Sequence, residues 1–122
     1  MKILVVEDSK LLAHMVGDGL RRHHGDAAGF EVCSAPDGRQ ALAQLAEHHF
    51  DAIVVDVYLP GIDGCEVIRT VRNELGLRDV PIIAISAGGA EARALALGAG
   101  ATAFFDKPFK VAQVAALVRE LT

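Results

Sequence analysis

"AIVVDVYLPGIDG", residues 52–64, decides the fold of this chain. Four apolar residues, Ala52 to Val55, lead straight into a lone carboxylate, Asp56, and then into the turn-rich "LPGIDG". The apolar run is too short for a helix and rich in β-branched residues, so it predicts a buried strand. A charge directly after a buried strand calls for a reason.

The same rhythm extends in both directions. Apolar runs predict strands at 2–6, 30–35, 52–55, 80–86 and 101–105, and helices are expected between them at 9–24, 37–49, 64–75, 90–98 and 110–121. Leu12, Val16 and Leu20 share one stripe of the first helix, and Ala41, Leu42 and Leu45 one stripe of the second. In the alanine-rich fourth helix Leu95 and Leu97 are the expected core residues. In the last, Val111, Val114, Leu117, Val118 and Leu121 are expected to face the sheet. Continuously apolar strands suit a parallel sheet covered on both faces. Five βα units therefore predict one three-layer α/β domain over 1–122. No linker, low-complexity tract or internal repeat marks a second domain.

Composition excludes several classes. A chain of 122 residues, 52% hydrophobic and 23% charged, can bury a core and is not a disordered segment. A net charge of -4, from 12 basic and 16 acidic residues, leaves no electrostatic footprint for nucleic acid. No apolar run approaches the length of a membrane span, and "MKILVVEDSK" turns acidic too soon for a signal peptide. Cys33 and Cys65 lack metal-type spacing and are expected as reduced thiols in small core positions. A cytoplasmic location is the expectation. His23-His24 and His48-His49 fall near helix C-termini, where cations suit the dipole. Adjacent side chains on a helix do not face one another, which argues against a metal site there. Gly17 and Gly19 weaken the first helix, with no functional reason legible in the sequence.

The polar residues have a pattern of their own. In open α/β sheets, ligands bind beyond the carboxyl ends of the strands. Glu7 and Asp8 follow the first strand, Asp56 the third, Ser86 the fourth, and Lys107 with Pro108 the fifth. Each has a bland reading. Asp8 or Ser9 would cap the first helix; Asp56 would open a turn; Ser86 would be a loop residue; Lys107 would be a solvated cation, although one beside a helix start is opposed by the dipole. Taken together these readings fail, because three carboxylates converging on one edge repel. At roughly 5 Å and an effective dielectric near 20, each pair costs on the order of 3 kcal/mol. Such crowding needs a cation, and oxygen ligands with room for water and phosphate suit Mg²⁺.

With these motifs in order over essentially its whole length, the chain resembles the receiver domains of two-component response regulators. The motifs are Glu7-Asp8, Asp56 with "LPGIDG", Ser86-Ala87 and Lys107-Pro108. The resemblance implies a flavodoxin-like (βα)5 fold with strand order 2-1-3-4-5. It implies that Asp56 is the phosphoacceptor, taking a phosphoryl group from a phosphohistidine on a sensor histidine kinase or phosphotransfer protein. Asp8 and Asp56 would bind Mg²⁺ through their side chains and Tyr58 through its backbone carbonyl, while Glu7 would hold a metal-bound water. Lys107 would pair with the carboxylate and then with a phosphoryl oxygen. Ser86, with Ala87 beside it, would bind another oxygen, and Phe104 stands where the family places its switch aromatic. The resemblance also implies a cis Lys107-Pro108 peptide. Docking of the phosphodonor is expected on Leu11 and Met15, about 100° round the first helix from its core stripe, with Pro108 and Phe109 nearby.

The chain departs from the family pattern in places. "HHGDAAGF" is longer than usual, and Ser86 to Lys107 spans 21 positions, about one short of the commonest spacing. Phe104 has no hydroxyl, so an aromatic switch would work by packing alone. Segments 87–98 and 25–29 are expected to be the least ordered apart from the termini, and the 87–109 surface is the expected output face. Three rivals remain. A flavin or nucleotide module needs phosphate-cradling donors after the first strand, where Glu7 and Asp8 stand instead. An aspartate-nucleophile phosphatase needs an acid two residues after the nucleophile, where Tyr58 stands. A receiver-like interaction domain that is never phosphorylated would not need Asp8, Asp56, Ser86 and Lys107 together. The expected chemistry is self-modification rather than turnover of a separate substrate, with no partner membrane. Kinase and output target are not legible, and 1–122 is either a docking protein or the N-terminal part of a longer one.

Overall fold

The computed structural model describes residues 1–24 and 30–122. The elements alternate strictly: β1 (Lys2–Val6), α1 (Lys10–His24), β2 (Glu31–Ala35), α2 (Gly38–Glu47), β3 (Ala52–Asp56), α3 (Gly64–Asn73), β4 (Ile82–Ser86), α4 (Gly89–Ala99), β5 (Ala103–Asp106) and α5 (Val111–Leu121). All strand pairs are parallel and the order is β2-β1-β3-β4-β5. This is the flavodoxin-like arrangement the motifs implied. The expected 25–29 connection lies outside the described residues.

Period-two alternation along the strands builds two cores. Ile3, Val5, Val54, Ile83 and Ile85 face α1 and α5, meeting Val16, Leu20, Val114, Ala115 and Val118. Leu4, Val6, Ile53, Val55 and Ala84 face α2, α3 and α4. β3 and β4 are buried along their entire length, whereas the edge strand β2 is half open. The first-helix stripe holds: Val16 and Leu20 are fully buried and Leu12 packs against them. Gly19 gains a reason, since a Cβ there would collide with the Val111 side chain where α1 crosses α5.

Two core expectations are corrected. Leu95 and Leu97 are 49% and 38% exposed, and α4 buries Ala92, Ala96 and Ala99 instead. Leu121, in the last turn of α5, is also exposed. The fifth strand begins at Ala103 rather than 101. Thr102 stays outside it and uses its Oγ1 to accept from the Ile82 N–H at 3.0 Å.

Candidate functional site

The strand order reverses between β1 and β3, and the crevice at that switch point is where such sheets bind ligands. Among the described residues, the buried polar or charged side chains are Glu7, Asp56 and Ser86. All three stand at the carboxyl ends of central strands. Burying a charge without a partner is costly, and Lys107 from the end of β5 supplies one. Its Nζ lies 2.8 Å from Asp56 Oδ2 and 3.1 Å from Glu7 Oε1. The Lys107-Pro108 peptide is cis.

The bland readings hold in part and leave the acidic cluster unexplained. Ser9, not Asp8, caps α1: its Oγ accepts from the Leu12 N–H at 3.2 Å. Asp63 caps α3, accepting from the Glu66 N–H at 2.9 Å. Asp8 is left exposed at the rim, and Asp56 gives only Oδ1 to the local turn, accepting from the Tyr58 N–H at 3.1 Å. Gly64 was not singled out from the sequence, yet a Cβ there would strike the Asp56 carbonyl oxygen. Only glycine lets α3 start so close to the acidic strand end. The signal was present as a glycine directly after the capping Asp63.

Electrostatically the site is short of positive charge. Carboxylate oxygens of Glu7, Asp8 and Asp56 lie within 4.8 Å of one another. Burial pushes the Glu7 carboxyl up to about 7, with Asp8 and Asp56 adding to the rise and the Ser9 N–H and Lys107 opposing it. Burial alone would lower Lys107, but its bonds to Asp56 and Glu7 outweigh that and hold it above the usual lysine range. One ammonium faces three carboxylates, an oxygen-rich donor set that fits a hard divalent cation.

Ser86 is fully buried, and its Oγ accepts from the Gly88 N–H at 2.9 Å, so the hydroxyl is engaged with its own loop. Ala87 is exposed beside it. The Tyr58 side chain is exposed and lies over Gly88, where a Cβ would meet its ring and hydroxyl at 2.7 Å. Phe104 is 7% exposed and shares the core of Ala84, Ala92 and Ala96. An inward turn of this ring from an outward position is therefore not available from this conformation: without a hydroxyl to solvate, the ring is already inside. Leu11 and Met15 are exposed, 71% and 49%. Met15, Lys107, Pro108 and Phe109 line one apolar hollow of about 410 Å³ with Leu12 and Val111, and Leu11 stands outside it.

Comparison with known proteins agrees with this geometry. Residues 3–119 match the family model of the response regulator receiver domain. The chain is 36% identical over 121 residues to the transcriptional regulatory protein PrrA of Mycobacterium tuberculosis, covering 98% of this chain and 49% of that protein. It is 34% identical over 122 residues to the two-component response regulator PhoP of Pseudomonas aeruginosa, covering 99% and 51%. The chain thus spans about half the length of the curated relatives it matches. Among solved structures, the chemotaxis protein CheY4 of Vibrio cholerae superposes with a TM-score of 0.84 at 31% identity, covering 99% of this chain and 98% of that one. A Francisella response regulator receiver domain gives 0.83 at 26%, covering 98% and 94%. With its strand-end carboxylates, hydroxyl and lysine gathered at the switch point of a 2-1-3-4-5 sheet, this chain belongs to the response regulator receiver domain family.

Proposed function

We propose that Asp56 is the acceptor of a phosphoryl group delivered by a phosphohistidine on a sensor histidine kinase or phosphotransfer protein. The observation that carries the reading is that the buried polar side chains among the described residues, Glu7, Asp56 and Ser86, converge on one crevice together with Lys107. In this reading an Asp56 carboxylate oxygen attacks phosphorus, a P–O bond forms, and the P–N bond to the donor histidine breaks with its electron pair returning to the imidazole. Such transfer asks the protein mainly for positioning and charge neutralisation. The Lys107 ammonium, already bonded to Asp56, moves its contact to an incoming phosphoryl oxygen. Ser86 gives up its acceptor role toward Gly88 and donates its hydroxyl to another oxygen.

Asp8 and Asp56, with the Tyr58 carbonyl, would hold Mg²⁺, and Glu7 would hold a metal-bound water. When bound, the ion supplies positive charge to the phosphoryl oxygens. Protonated Glu7 and Lys107 ease the crowding of Asp56 in its absence. The hollow around Met15, Pro108 and Phe109, with Leu11 at its edge, receives the phosphodonor's helices. The chain acts on no separate substrate, works in the cytoplasm, and passes its state on through the 87–109 surface to a protein partner.

Labelling with acetyl phosphate tests this. Stoichiometric modification at Asp56 is expected in Mg²⁺, with loss in EDTA and in Asp56→Asn. Full labelling of Asp56→Asn at another residue would overturn the assignment.

A further inference from the structure

A second chemical feature lies on the other side of α1. Lys10, His14, Gly17 and Arg21 stand at i, i+4, i+7 and i+11, one stripe of the helix. With Val32 and Ser34 of β2 they line a groove of about 380 Å³. Glu7 is the groove's one carboxylate, and it is already bonded to Lys107. Among the described residues neither Lys10 nor His14 has an acidic partner, and Arg21 has only a long exposed pair, 3.9 Å, with Asp18. Arg21 lies back over Gly17, where a Cβ would stand 3.5 Å from its Nη1. A chain of net charge -4 therefore keeps weakly paired cations along this groove, with Lys10 lacking an acidic partner among the described residues and Arg21 holding only the long contact to Asp18.

The opposite wall is an open sheet edge. Glu31 N–H donates to the Met1 carbonyl and the Ala35 carbonyl accepts from Glu7 N–H, so the odd residues of β2 face β1. Val32 and Ser34 turn their backbone groups outward. The Ser34 carbonyl accepts from Gln44 Nε2 at 3.0 Å, while the Val32 groups and the Ser34 N–H have no protein partner among the described residues. Open edges are templates for another strand.

We propose that this groove docks an acidic, extended segment of a partner protein, which adds to the β2 edge and sets its carboxylates against Lys10, His14 and Arg21. Length supports an extended chain. Lys10 to Arg21 covers about 16 Å of helix axis, and five residues of strand cover about the same. Charge placement opposes a small anion, because cations spread over that length cannot converge on one phosphate.

The test is a titration of the ¹⁵N-labelled chain with the blocked peptide Glu-Val-Glu-Val-Glu at low salt. Saturable amide shifts are expected at Val32 and Ser34 together with Gly17 and Arg21, weakening as salt is raised. Lys10→Gln/Arg21→Gln should weaken binding by about tenfold, in line with losing two partly screened charge contacts. Gly17→Leu should block the groove without altering charge; its Cβ meets only ordinary contacts, and a thermal melt verifies that the variant is folded. Equal binding of Gln-Val-Gln-Val-Gln would overturn the proposal. So would the same shifts with pyrophosphate, or shifts that spare Val32 and Ser34, or no saturable shift at all.

Discussion

α3 and α4 cover the same face of the sheet and are built in opposite ways. α3 drives Val67, Ile68 and Val71 into the core and is capped by the Asp63 side chain. α4 buries only alanines, holds its two leucines out, and begins at Gly88-Gly89 with no side-chain cap. Its C-terminal end is tied down: Gly100 closes it in a left-handed conformation, and Arg72 of α3 donates through Nε to the Gly100 carbonyl at 2.9 Å. The loosely held end of α4 is thus the one beside Ser86. The difference teaches where a change at the crevice has room to act. A helix with little buried side-chain area can shift cheaply, whereas α3 is locked to Asp56 itself through Gly64.

The largest expected effect breaks the locked partner. Ile68 is fully buried, so Ile68→Ala should cost about 2–5 kcal/mol in urea unfolding. A cost near that of an exposed substitution would mean that α3 is no better anchored than α4.

This contrast also marks what the sequence made legible. The strands were readable because period-two burial on both faces leaves uninterrupted apolar runs, and the site was readable because Asp56, Ser86 and Lys107 interrupt those runs at their ends. α4 was misread in its details. Leu95 and Leu97 are two residues apart and cannot share a helical face. Ala92, Ala96 and Ala99 follow the i, i+4, i+7 pattern, but their small size hides the stripe behind larger neighbours. Leu121 kept to its stripe and is exposed because it lies in the last turn of α5. The Tyr58–Gly88 contact is long-range and leaves no trace in local pattern.

Next in size is a pH effect at the crevice that both helices flank. Glu7 rises from the ordinary 4.5 to about 7 in the folded protein. The folded state therefore keeps a proton that the unfolded state has lost, and the associated stability is present at pH 4.5 and lost as pH rises to about 7. Over that window metal-free protein should lose roughly 3 kcal/mol from this group, at about 1.36 kcal/mol per unit. Urea midpoints in EDTA at pH 5 and 8 measure it, and Glu7→Gln should remove the slope. If the variant keeps the same slope as the parent, the carboxylate crowding is relieved elsewhere.

A smaller change should bring the two helix starts closer in character. Asp63→Ala removes the cap of α3 and should cost about 1 kcal/mol. Hydrogen exchange should then rise in the first turn of α3 toward the rate in the first turn of α4. Unchanged exchange at 64–67 would show that Gly64 packing, rather than the cap, fixes that end.

The smallest expected effect is the sharpest test of the α4 reading. Leu95 and Leu97 are exposed, so Leu95→Ala and Leu97→Ala should each change stability by less than about 0.5 kcal/mol, in contrast to Ile68→Ala. Alanine also has the higher helix propensity, which offsets part of any lost contact. The alanine stripe should behave in the reverse sense. Ala96 is fully buried against the sheet, and a larger side chain there has to push α4 outward, so Ala96→Leu should destabilise by about 1–3 kcal/mol. A large cost for the leucines with tolerance at Ala96 would mean that the helix packs on its leucine side, and that the loose end beside Ser86 is instead a well-packed one.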